Sequence, residues 1–94
     1  MTYHYTPKEV CQKALDTWGR NPQLLMLLEE MSELQKEVLK NMNRGKDNLK
    51  ELAEETADVL IMLDQLIHMY DMSDIVEKTA QFKIDRLKGH LNMK

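Results

Sequence analysis

The sequence predicts an all-α protein, a small four-helix bundle-like domain completed by oligomerisation. One Phe, one Trp and three Tyr leave the core to Leu, Ile, Val and eight Met, a palette rich in helix formers and poor in strand formers. Apolar residues return at helical spacing along most of the chain. Three breaks, at Gly19 to Pro22, Arg44 to Asp47 and Asp71 to Ser73, divide it into four segments. With no internal repeat, low-complexity tract or linker, residues 1–94 read as one domain.

The first helix is expected from about Pro7 to Trp18, because Thr6-Pro7-Lys8-Glu9 combines an N-cap Thr, a Pro at the first helical position and a Glu that closes a capping box. Gly19 ends it. Asn21-Pro22 opens a second helix to about Met42, with a core stripe of Leu27, Met31, Leu34, Val38 and Met42 and with Glu30, Glu33 and Glu37 on a different face. Asp47 is the expected cap of a third helix reaching about Tyr70. Its core stripe is Leu49, Leu52, Thr56, Leu60, Leu63 and Ile67, and its acidic stripe is Glu51, Glu55 and Asp58. That acidic stripe turns apolar further on, through Met62 and Met69 beside Val59 and Leu66, so this half of the helix needs cover on all sides. Four short helices are too few for that, and a second subunit is expected against Met62 and Met69. The fourth helix should run from about Asp74 to Lys88 and end at Gly89. Lys83 and Arg86 fall within its apolar sector with Ile75, Val76, Thr79, Phe82 and Leu87.

A 94-residue chain buries only roughly 60 to 65% of its unfolded surface, which makes a lone subunit marginal. The net charge of −3 is mild and the basic residues are scattered, which argues against duplex nucleic acid as a partner while leaving free nucleotides open. The single Cys11 has no internal disulfide partner, and the start of the chain, with Tyr3, His4 and Lys8, lacks an apolar signal segment. Leu24 to Leu28 and Val59 to Leu63, the longest apolar runs, are far short of a membrane span. A cytoplasmic protein is expected, with no membrane partner.

The chemistry-bearing pattern is a pair of carboxylate claws. At about 100° per residue, Glu30 and Glu33 project from one face of the second helix, and Glu55 and Asp58 from one face of the third. Four facing carboxylates repel unless a hard divalent cation lies between them, and oxygen-only ligands favour Mg²⁺ or Mn²⁺. The plain alternative is a solvated acidic face. Against it stand like-charged neighbours three and four residues apart in Glu29, Glu30, Glu33 and Glu37, and again in Glu51, Glu54, Glu55 and Asp58. A di-iron bundle would need Glu-x-x-His twice, and the chain has none. Lys83 and Arg86 either extend their heads to water or meet a phosphate-bearing ligand near the carboxylates. Trp18 is read first as a core or staple residue and second as a base-pocket platform. His4, His68 and His90 are isolated. There is no Gly-rich phosphate loop, and neither Cys11 nor the few Ser assemble into a nucleophile with a paired base.

Glu-Glu-x-x-Glu at Glu29 to Glu33 followed by Glu-x-x-Asp at Glu55 to Asp58 resembles the MazG-like all-α nucleoside triphosphate pyrophosphohydrolases, particularly the small bacterial and phage members. Trp18-Gly19 before Gln23, the run from Glu29 to Glu37, Arg44-Gly45-Lys46, the run from Glu54 to Leu63 and Lys83-x-x-Arg86 extend the resemblance from about Trp18 to Arg86. It implies Mg²⁺-dependent hydrolysis of a (d)NTP between the α and β phosphates, giving the monophosphate and pyrophosphate as nucleotide-pool house-cleaning. By position, it makes Glu30, Glu33, Glu55 and Asp58 the metal ligands, Glu29 a neighbouring acid in catalysis, and Lys83 and Arg86 the phosphate contacts. A homodimer or homotetramer is implied too. The alternatives are a non-catalytic helical interaction module and the sibling phosphoribosyl-ATP pyrophosphohydrolase activity.

Overall fold

The computed structural model describes residues 5–44 and 47–93, and within them the secondary structure is entirely helical and turn. Four helices follow in order: α1 (Lys8–Trp18), α2 (Arg20–Arg44), α3 (Leu49–Met69) and α4 (Ser73–His90). The all-α expectation holds. No helix among the described residues is long and apolar enough to cross a membrane. Tyr3, His4, Gly45 and Lys46 lie outside the described residues.

Helices α2 and α3 form an antiparallel hairpin, the largest interface of the chain. At its closed end, buried Asn48 donates from Nδ2 to the Glu37 carbonyl at 2.8 Å and accepts from Asn41 Nδ2 at 3.1 Å. At its open end the Arg20 guanidinium lies over the Tyr70 ring, 6.0 Å from its centre. Between these ends, alternating steps of four and three bring Gln23, Leu27, Glu30, Leu34 and Glu37 of α2 toward Leu52, Glu55, Val59 and Met62 of α3, all buried or half-buried. This is the spacing of a coiled-coil seam.

The seam corrects the expected core stripes. It passes through Glu30 rather than Met31 and through Glu37 rather than Val38; Met31, Val38 and Met42 face outward, as do Leu49 and Thr56 on α3. Two seams with the same period were available on α2, sharing Leu27 and Leu34, and apolar content favoured the wrong one. The second half of α3 is covered from both sides within one chain. Met62 packs at the α2 seam, and α1 lays Cys11 and Ala14 over the side where Asp64 and Ile67 are buried. This cover by α1 was not foreseen in the sequence.

Helix ends also depart from expectation. Pro7, not Thr6, occupies the α1 cap position, and Asn48, not Asp47, that of α3; neither makes a side-chain cap bond. α2 begins at Arg20 rather than Asn21, and Gly89 lies inside α4, which runs on to His90. Gly19 does end α1, with φ of 80° and its N–H on the Leu15 carbonyl. That left-handed backbone is strained for a residue with a Cβ. The Tyr5 and Thr6 amides that a local cap would leave open both donate to Asp64 Oδ2, each at 2.8 Å. One buried carboxylate of α3 thus anchors the segment entering α1.

Asp64→Ala should therefore lower stability by about 3 kcal/mol, since two amides lose a charged acceptor. Asp64→Asn keeps an oxygen for both and should avoid most of that loss. Thermal melts of the pair, with limited proteolysis before Lys8, check it; equal melting of Asp64→Ala and wild type would discard the anchor.

α4 has no buried residue and packs only against α3. Ile75, Phe82 and Leu87 stand more than half exposed. The chain exposes 7482 Å², whereas a compact monomer of 11.1 kDa exposes about 5,700 Å². Its radius of gyration, 15.9 Å, likewise exceeds the roughly 12 Å of a compact domain of this length. α4 touches only α3, and α2 exposes Leu25, Leu28, Leu39 and Met42.

Candidate metal centre

Because Glu30 lies in the seam, α2 points a carboxylate at α3, where Glu55 and Asp58 sit on successive turns. The three contribute oxygens that lie within 4.8 Å of one another. Glu30 and Glu55 are half-buried and Asp58 is exposed, so the cluster is closed toward the hairpin and open on one side. A cavity of about 130 Å³ lined by Met26, Glu30, Asp58, Ile61 and Met62 forms that opening.

The electrostatics are those of a group short of positive charge. Partial desolvation first, and then the carboxylates of Asp58 and Glu55, hold the Glu30 carboxyl above its usual pKa of 4.5. Glu55 Oε2 is buried and no donor reaches it. A divalent cation would serve all three oxygens, and the open side leaves coordination positions for water or phosphate.

Linkage gives this a sign. A folded pKa raised above the unfolded one contributes stability that is fully present below the unfolded value and lost as pH rises through the folded value. At neutral pH without divalent ions, ionised Glu30 therefore weakens the hairpin. Glu30→Gln removes that charge and brings an amide donor to Glu55. It should melt on the order of 5 °C above wild type at pH 7, with the gap closing toward pH 4. A gap that does not narrow on acidification would discard the coupling.

The remaining predicted residues divide clearly. Glu33 turns away from the three and pairs with Lys36 at 3.4 Å on the surface. Glu29 is exposed one residue before Glu30. Glu37 is directed into the seam but pairs with Lys40 at 3.3 Å. Lys83 and Arg86 are exposed on α4, and no α4 side chain lines the cavity of the carboxylates. The half-buried face of α4 is Val76, Ala80 and Ile84, not the sector that holds Lys83 and Arg86. Trp18, 63% exposed, is not a core residue; it borders a second cleft with Pro22, Gln23, Met26, Met62 and Gln65. On the other side of α3, a larger cavity holds Cys11, Asp64 and His68. Burial, and then the Asp64 carboxylate, push the Cys11 thiol upward, which disfavours the thiolate. His68 Nε2 lies 2.8 Å from the Gln12 amide oxygen.

Gln23 and Gln65 were not predicted as functional, although both are buried. Extending the seam one turn back from Leu27 would have placed Gln23 on it. Comparison with known proteins gives no matching family model, curated protein or solved structure.

Proposed function

We propose that this chain is a Mg²⁺-dependent nucleoside triphosphate pyrophosphohydrolase of the MazG-like type, working as a homo-oligomer on surplus or non-standard (d)NTPs. The observation that supports it most is the convergence of Glu30, Glu55 and Asp58 around an acceptor with no donor. These three would hold Mg²⁺, with Mn²⁺ as a substitute. Glu33 would join the set only if its side chain left Lys36. When bound, the ion supplies charge that neutralises the phosphates and lowers the pKa of an attacking water. Glu29 is exposed and outside the triad, and we assign it the water's proton. Water adds to the α-phosphorus, the α–β bridge breaks, and the electron pair leaves with pyrophosphate.

Oligomerisation is favoured by the surface excess and by the outward Met31, Val38 and Met42 of α2 and Ile75, Phe82 and Leu87 of α4. It would also supply the phosphate contacts. Since α4 reaches no cavity of its own triad, Lys83 and Arg86 would act on the site of a neighbouring copy.

A panel of NTPs and dNTPs with Mg²⁺, its products resolved as monophosphate, diphosphate, phosphate and pyrophosphate, tests the activity. Monophosphate and pyrophosphate in equal amounts are expected. No cleavage across the panel, together with no melting shift on adding Mg²⁺, would favour the non-catalytic interaction module, whose acids are merely surface.

A further inference from the structure

Three spaces on the outside of α1, α2 and α3 run into one another. The first is walled by Val10, Ala14, Thr17 and Trp18, with Glu9 and Lys13 beside them. The second, a cleft of about 250 Å³, is walled by Trp18, Pro22, Met26 and Met62. The third is the opening onto Glu30 and Asp58. Trp18 borders the first two and Met26 and Met62 the last two, so together they form one furrow, apolar for two steps and acidic at the third. Gln23 and Gln65 also line the cleft but are only 3% and 8% exposed, whereas Trp18 and Met26 are 63% and 45% exposed. An occupant of the cleft therefore meets apolar surface, which selects an apolar group.

α4 carries the same three steps in the same order. The half-buried Val76, Ala80 and Ile84 form its face toward its own chain. About a third of the way round the helix, Ile75, Thr79, Phe82 and Arg86 follow at steps of four, three and four, the spacing of a helix seam, and all four are exposed. The stripe reads apolar at Ile75, aromatic at Phe82 and basic at Arg86, one turn further on. Phe82 is the chain's only Phe, 66% exposed, and no α4 side chain lines any of the three spaces among the described residues.

Resting on the homo-oligomer inferred above, we propose that Phe82 of a second copy fills the cleft of Trp18 and Met26, with its Ile75 toward Val10 and its Arg86 at the carboxylates. Charge fits this register. The C-terminal half of α4 sets Lys83, Arg86 and Lys88 against the single acid Asp85, while the acidic end of the furrow gathers Glu29, Glu30, Glu33, Glu55 and Asp58. Area fits it as well, since the exposed 7482 Å² exceeds that of a compact monomer by about twice the roughly 800 Å² per partner of a standard interface. Each copy has one furrow and one α4, so a two-fold dimer fills both at once. Phe82 is then the anchor of the interface, and burying its ring against Trp18 is what holds Arg86 at the neighbouring site.

Trp18 is the only tryptophan, so its emission reports on the cleft. Sedimentation of the full-length wild type should show a dimer in the micromolar range, with Trp18 emission moving to the blue as it forms. Phe82→Asp puts a charge into the cleft and should weaken the dimer on the order of 100-fold or more, leaving the emission of an exposed indole. The register is tested separately, so that it stands even if this variant misfolds. In a Cys11→Ala background, Met26→Cys chains are mixed with tagged Phe82→Cys chains, allowed to exchange and oxidised with glutathione disulfide; a disulfide dimer of one tagged and one untagged chain is expected. A wild type that stays monomeric, a dimer that Phe82→Asp leaves equally tight, or no tagged and untagged product would overturn the proposal. Pyrophosphate release from triphosphates separates it from the hydrolase reading. A cross-linked dimer that cleaves none would keep the interface and remove the hydrolase, and cleavage by a wild-type monomer would do the reverse.

Discussion

Mg²⁺ should raise the melting temperature of the wild type, and Glu55→Gln should lose most of that rise and lower kcat/KM for pyrophosphate release on the order of 1000-fold. Glu55 lies in the seam, as Glu30 does, with one oxygen buried and without a donor. Its amide replacement keeps the shape, removes a negative charge and brings an N–H₂ toward Glu30. Without divalent ions the variant should thus melt at or above wild type, because carboxylate repulsion falls. Opposite signs for metal-free stability and for activity are the signature. An ordinary structural residue would lose both together. Melting of both proteins with and without Mg²⁺, beside steady-state pyrophosphate release, checks it. An equal Mg²⁺ response in wild type and variant would remove the triad as the metal centre.

Helix content and the two acidic words were legible in the sequence because both depend on local spacing. Gly19 ends a helix, and a turn at Asp71 and Met72 separates two others, with Ser73 already the first residue of α4. Which stripe of α2 faces α3 was not legible. Two seams of equal period competed, and hydrophobicity chose the one through Met31, Val38 and Met42. The chain instead uses the seam through Gln23, Glu30 and Glu37, which places polar groups where an apolar core would be more stable. Such a local violation is expected where a sequence serves a site as well as a fold. Glu30, Glu55 and Asp58 were brought together by this seam, and Glu33 was not, its carboxylate lying against Lys36 on the surface. The Asp64 anchor was invisible for another reason: it joins residues 58 and 59 positions apart, and no local pattern encodes that.

Arg86→Met should lower kcat/KM on the order of 100-fold while leaving folding and the Mg²⁺ response intact. Met keeps most of the aliphatic stem and deletes the planar fork that grips phosphate oxygens in pairs. Arg86 is exposed and α4 packs only on α3, so the substitution removes nothing on which the chain's own body depends. A deeper test follows from that geometry. If Arg86 serves the triad of a neighbouring copy, Glu55→Gln and Arg86→Met damage different halves of a shared site. Each variant alone has no intact site. Mixed and allowed to exchange subunits, a dimer carrying one of each has one site with both defects and one with neither. With half of the dimers mixed, activity should recover to about a quarter of wild type. The measurement is pyrophosphate release from each variant alone, from the mixture, and from the mixture before exchange. Recovery would place Arg86 across a subunit boundary from Glu55. A mixture no more active than the average of its parts, with exchange verified by mass, would return both residues to the same chain. Unchanged kinetics in Arg86→Met alone would leave α4 as a packing surface, with the carboxylates carrying the chemistry without it.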